Sequence, residues 1–80
     1  MSRDEIYKII NEIFCSVFDD ANLVINDSTT SSDIEDWDSL EQINLVVAIE
    51  KKFNIKFSMN EVIEFKNVGE MVDKIMSKVN

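Results

Sequence analysis

Apolar residues recur at helical spacing in separate stretches of the chain, and each stretch opens on a capping signal. From Ser2 to Phe18, the residues Ile6, Ile9, Ile10, Ile13, Phe14 and Val17 fall three or four apart, which is one face of a helix. Ser2 supplies the cap, and Glu5 three residues later completes a capping box. The periodicity then stops. Asn26 to Asp33 is polar and turn-prone, with Leu23, Val24, Ile25 and Ile34 as possible anchors into a core. A loop this long in a small protein is functional or mobile. A second helix starts at the cap Asp38, with Glu41 at its third position, and runs to about Phe53. Its apolar positions are Leu40, Ile43, Val46, Val47, Ile49 and Phe53. Phe53-Asn54-Ile55-Lys56-Phe57 alternates as a strand would, but a lone strand has no partner, so a loop whose apolar residues plug the bundle is expected. Ser58 with Glu61 opens a short helix through Phe65. Asn67 with Glu70 opens a last helix to about Lys78, with Val68, Met71, Val72, Ile75 and Met76 inward. Caps that arrive where periodicity begins predict an all-α helical bundle.

Composition narrows the picture. The chain has no proline and one glycine, Gly69, too little turn punctuation for a sandwich or barrel. Eighty residues make one domain, spanning 1–80. A domain of that size buries only about 60% of its unfolded surface, which leaves little room for a deep catalytic cleft. Sixteen acidic against eight basic residues give a net charge of -8. That field repels nucleic acids and anionic lipid and attracts basic protein patches. No apolar run is long enough to span a membrane, and the acidic start does not resemble a signal peptide, so a cytoplasmic location is the default.

Catalytic inventories fail. Histidine is absent, and Ser39 has neither a nearby lysine in sequence nor a Gly-x-Ser-x-Gly elbow to activate it. Cys15 cannot form an internal disulfide or a thiolate metal site, and it reads as a helix-flank thiol. An EF-hand register beginning at Asp27 puts Ser32 where a glycine belongs and Asp38 where a bidentate glutamate belongs, so no metal is expected. Ser39 stands out by position alone. It follows a cap residue, a long loop and the large Trp37, at the first turn of a helix where backbone amides and the dipole favour a phosphate.

Asp38-Ser39-Leu40-Glu41, followed by Ile43 to Ile55 and later by Asn67-Val68-Gly69-Glu70-Met71-Val72, resembles the attachment motif, second helix and last-helix start of acyl carrier proteins. With the weaker first helix the resemblance covers essentially the whole chain. It implies a four-helix bundle with a long loop after the first helix and a short third helix. It also implies a 4'-phosphopantetheine arm on Ser39, derived from coenzyme A, whose thiol holds acyl or aminoacyl groups as thioesters. Asp38 would orient the helix start and the modifying enzyme. Leu40, Glu41, Val47 and Ala48 match partner-facing positions, while Ile49, Phe53, Ile55 and Val68 match the core or the acyl channel. The implied partners are a phosphopantetheinyl transferase, an acyl-loading ligase or transferase, and a ketosynthase or other acyl-processing enzyme, met by a monomer that is not itself an enzyme. Trp37, Asn44, Lys51 and Lys52 depart from the pattern of fatty-acid carriers and point to a specialised polyketide, lipid or related pathway. The alternative is a carrier fold that is never modified and serves as an interaction module. Long acyl cargo predicts a core that can expand among Ile43, Val47, Val62 and Met71.

Overall fold

A computed structural model describes residues 1–79. It holds α1 (Arg3–Val17), α2 (Ser39–Phe53), α3 (Met59–Glu64) and α4 (Val68–Val79), with no strand among the described residues. The caps act as their residue types require. The Ser2 hydroxyl accepts from the Glu5 amide at 3.2 Å while the Glu5 carboxylate accepts from the Ser2 amide at 3.1 Å. Ser58 and Glu61 repeat this reciprocal pair at the start of α3, and these bonds hold both glutamates below the usual carboxylate range. Asn54 ends α2 in the left-handed region, at φ 55°.

Ile6, Ile10 and Phe14 of α1, Leu45 and Ile49 of α2, and Val68, Met71, Val72 and Ile75 of α4 form the core, all fully buried. Two residues of the long loop, Ile25 and Ile34, complete it. Phe53, Ile55, Phe57 and Phe65 pack against it from outside, so the segment after α2 is the apolar plug expected of it. One expectation fails. Val24 is exposed, because Asn11 holds the backbone on either side of it, at the Leu23 carbonyl and the Ile25 amide, and Ile25 is the residue that turns inward. On α2, Leu40, Ile43 and Val47 face outward and Leu45 faces inward, a division that spacing alone did not make. That helix is apolar almost all round, so its spacing admitted two faces, and packing against α1 selects one. Of the four residues named for an expandable core, Ile43 and Val47 lie outside here and Met71 lies in the core.

The long loop is held by polar contacts. Asn11 of α1 acts as a small strand edge: its side chain donates to the Leu23 carbonyl at 3.1 Å and accepts from the Ile25 amide at 2.8 Å. The Cys15 thiol donates to the same Leu23 carbonyl, confirming a half-buried helix-flank thiol. Further on, the loop meets the open end of α4. The Val68 amide donates to the Thr29 carbonyl at 2.9 Å and the Gly69 amide to the Asp27 carbonyl at 3.0 Å. Asn67 accepts from the Glu70 amide through its own side chain. Three first-turn donors of α4 are thereby satisfied, two of them by the loop. Gly69 permits this approach, since a Cβ there would lie 2.9 Å from the Asp27 carbonyl oxygen. The Asp27 carboxylate also accepts from Arg3 at 2.8 Å and from the Tyr7 hydroxyl, and Arg3 bonds Asp73 of α4. Hydrogen bonds from Tyr7 and Arg3 hold Asp27 below the usual aspartate range. Burial, and then Asp27 itself, pushes Tyr7 up to about 12.

Two outcomes follow from this junction. Gly69→Ala gains about 1 kcal/mol of helix propensity, but its methyl meets a backbone oxygen that cannot swing aside. The expected net result is a loss of roughly 1 kcal/mol, read as a lower urea midpoint at unchanged slope. A stabilised variant would show that the loop does not press on α4. For Asp27, a depressed native pKa adds stability above the ordinary aspartate value, and this is lost as pH falls through the native one. The melting-temperature gap between wild type and Asp27→Asn should therefore be present at pH 7 and close from about pH 4 downward.

Candidate functional site

The site is the corner where the long loop becomes α2. A run of turns leads into it: Asp33 donates its amide to the Thr30 carbonyl, Trp37 to Ile34, and Asp38 to Asp36. Buried Ile34 anchors that run. Trp37 is half-buried, stacked edge-on against Phe14 with centroids 5.3 Å apart, and its indole N–H donates to Gln42 at 2.6 Å. The ring thus ties the end of the loop both to α1 and to the first turn of α2. Asp38 follows as the cap, its carboxylate accepting from the Glu41 amide at 2.9 Å.

Ser39 is the first residue of the fifteen-residue α2 and is exposed. Its hydroxyl stands beside first-turn amides that have no partner within the helix, at the positive end of the dipole. Asp38, exposed, is its immediate neighbour. Leu40 is 65% exposed, and Val47 follows it two turns along the same outward face. Glu41 and Ala48 are half-buried on the flank of that face, and the Glu41 carboxylate accepts from Asn44. The structure therefore brings the expected site residues to α2 and the corner above it, with Asp38, Ser39, Leu40 and Val47 exposed and Glu41 and Ala48 on the flank of the exposed side.

Three apolar residues join that side without having been expected there. Ile43 is 59% exposed between Leu40 and Val47, while Met59 and Ile63 of α3 are 81% and 74% exposed. Ile43 could have been found from its spacing with Leu40 and Val47, once those two were placed outward. Met59 and Ile63 lie on a six-residue helix, too short for periodicity to give them a face. Between α2 and α3 runs an open groove of about 590 Å³. Ser39, Asp38, Trp37 and Gln42 line it at the α2 end; Ile43, Val62, Ile63 and Phe65 give it apolar walls; and Lys66 is also on its lining. A smaller groove, about 280 Å³, lies between α3 and α4 among Glu61, Glu64, Glu70 and Asp73 and lacks both Ser39 and an aliphatic wall.

A helical bundle that sets an exposed serine on a helix start beside an apolar groove is the form of a phosphopantetheine-attachment domain. The family model described as "Phosphopantetheine attachment site" matches residues 8–75. Acyl carrier proteins of Acidothermus cellulolyticus and Petrotoga mobilis are 33% and 30% identical to the chain, over 94% and 100% of its length and 89% and 94% of theirs. The solution structure of a holo acyl carrier protein from Geobacter metallireducens is similar at 38% identity and a TM-score of 0.86, covering 91% of this chain and 84% of that one. The chain belongs to the acyl carrier protein family. It is a non-catalytic carrier whose prosthetic group is a covalently attached phosphopantetheine, and it works with a phosphopantetheinyl transferase and acyl-processing enzymes.

The residues present fit that group. An exposed serine is available for a phosphodiester, and the adjoining open groove has apolar walls. When attached, the arm supplies a terminal thiol that can hold acyl groups as thioesters, chemistry the chain's own half-buried Cys15 does not offer. The local support of the corner can be measured. Asp38→Ala should lower stability by about 1 kcal/mol through loss of the cap, with Asp38→Asn closer to wild type, both read in urea unfolding. Equal, negligible losses would show that Trp37 alone fixes the start of α2.

Proposed function

We propose that Ser39 is the attachment residue, and that the chain holds acyl or aminoacyl intermediates there as thioesters and presents them to partner enzymes. The observation that carries this reading is the exposed Ser39 hydroxyl at the capped start of α2, on the lining of an apolar groove. Asp38 keeps the first turn of α2 in place for the modifying enzyme. Leu40, Glu41, Val47 and Ala48, with Ile43, form the surface that partners touch. Exposed apolar residues contiguous along a helix are uncommon without such a purpose.

The partners proposed are a phosphopantetheinyl transferase, a loading ligase or transferase, and a ketosynthase or similar acyl-processing enzyme, each engaging a monomeric carrier in the cytoplasm. No described helix is long and apolar enough to cross a membrane. The pathway proposed is a specialised one, making a polyketide, a modified lipid or a related product. Asn44, Lys51 and Lys52 support this reading, because they reduce the negative charge along the outward side of α2 that would steer a strongly basic partner.

The test is the intact mass before and after incubation with coenzyme A and a broad-specificity phosphopantetheinyl transferase. A gain of one phosphopantetheine is expected for wild type and none for Ser39→Ala, which should retain its helical circular dichroism. A folded, initially unmodified wild-type chain that gains nothing would overturn attachment and leave an interaction module as the better description. A gain that persists in Ser39→Ala would move attachment to another residue.

A further inference from the structure

Any anion introduced at Ser39 enters negative surroundings. Asp33, Glu35, Asp36, Asp38 and Glu41 all lie within six residues of it, and the whole chain carries a charge of -8. Several of the chain's few cations are engaged elsewhere. Arg3 pairs with Asp27 and Asp73, and both Lys74 and Lys78 pair with Glu61. Lys66 differs from these. It is exposed, it lines the same groove as Ser39, and it makes no ion pair or hydrogen bond through its side chain among the described residues. Three polar side chains on that lining already accept hydrogen bonds: Asp38 caps Glu41, Gln42 accepts from Trp37, and Asn67 accepts from Glu70. Of the two charged residues on the lining, Asp38 already serves as the cap of α2, and the Lys66 ammonium has no partner among the described residues.

We propose that Lys66 is the anion-binding residue of this groove and pairs with an anionic oxygen group carried on the arm. The inference rests on attachment at Ser39 and adds to it a role for the α3–α4 connection. Two sources supply the same chemistry: the phosphodiester, present in every modified form, and a terminal carboxylate on a dicarboxylic acyl cargo. The apolar walls given by Ile43, Val62 and Ile63 accommodate the uncharged part of the arm in either case. An ammonium is a compact point charge on a flexible stem, so Lys66 can follow an anion without a fixed geometry.

The experiment compares the reactivity of individual lysines toward an amine-acylating reagent, read by mass spectrometry. Four forms of the full chain are used: unmodified, modified with the arm alone, loaded with a straight-chain neutral acyl group, and loaded with the half-thioester of a dicarboxylic acid. Pairing favours the ammonium, so Lys66 labelling should fall by about threefold, the size expected of one exposed ion pair, while Lys8 and Lys51 stay unchanged. A fall that appears with the arm alone assigns the phosphodiester. A fall confined to the dicarboxylic form assigns the cargo carboxylate. Either should shrink at high salt, because an exposed pair is screened. A fall that is indifferent to salt is shielding by the arm and overturns the pairing. Unchanged labelling in all forms, with the mass gain confirmed, overturns the inference alone, whereas absence of any mass gain removes attachment and the inference together.

Discussion

The bundle depends on how closely the long loop can approach the start of α4. Two backbone amides of that helix, at Val68 and Gly69, donate to carbonyls of Thr29 and Asp27, and the approach is possible because Gly69 has no side chain. A helix start left bare inside a fold is costly, and a loop with unpaired carbonyls is equally so. Here each supplies what the other lacks. Arg3 and Tyr7 then fasten the Asp27 side chain to α1, so one aspartate joins the loop to two helices. No buried side-chain nitrogen or oxygen is left without a partner among the described residues. From this junction the loop runs on through Ile34 to Trp37, and the position of Ser39 follows from it.

The second helix works with both of its sides. Leu45, Val46 and Ile49 hold it in the bundle, while Leu40, Ile43 and Val47 remain in water. Burial of one side fixes the helix, and the other side is left apolar at some cost in solubility, which a charge of -8 offsets by repulsion between molecules. Function in this family is thus a matter of display. The chain keeps one hydroxyl exposed, an apolar stripe beside it, and a groove alongside, and leaves bond-making to the enzymes it meets.

Much of this was legible in the residues. The capping boxes at Ser2 and Ser58 located α1 and α3, Asp38 located α2, and the spacing of Ile6, Ile10 and Phe14 located the buried face of α1. Asp38-Ser39-Leu40 marked the corner, which the fold then placed on an exposed helix start beside a groove. Spacing alone did not give the faces of α2, because Leu40, Ile43, Leu45, Val46, Val47 and Ile49 satisfy a helical period on either side. The family resemblance puts Leu40 and Val47 outward and Ile49 with the core or channel, and packing places them so. Asn11 was not legible either. Its role as a partner for the Leu23–Ile25 backbone joins positions more than ten residues apart, and a polar residue on a helix flank gives no local sign of it. The groove needed α2 and α3 together, and no single stretch of sequence contains both of its walls.

Trp37 is the chain's only tryptophan, and it stands two residues before Ser39. Its ring is gripped by Phe14 and Gln42, so its fluorescence belongs to one defined environment, half inside the bundle and half at the corner. A partner that pulls α2 away from α1, or a cargo that pushes between them, would expose the indole and move its emission to longer wavelength. The protein therefore carries an intrinsic optical gauge at its working end, which can follow loading and docking in real time without any label.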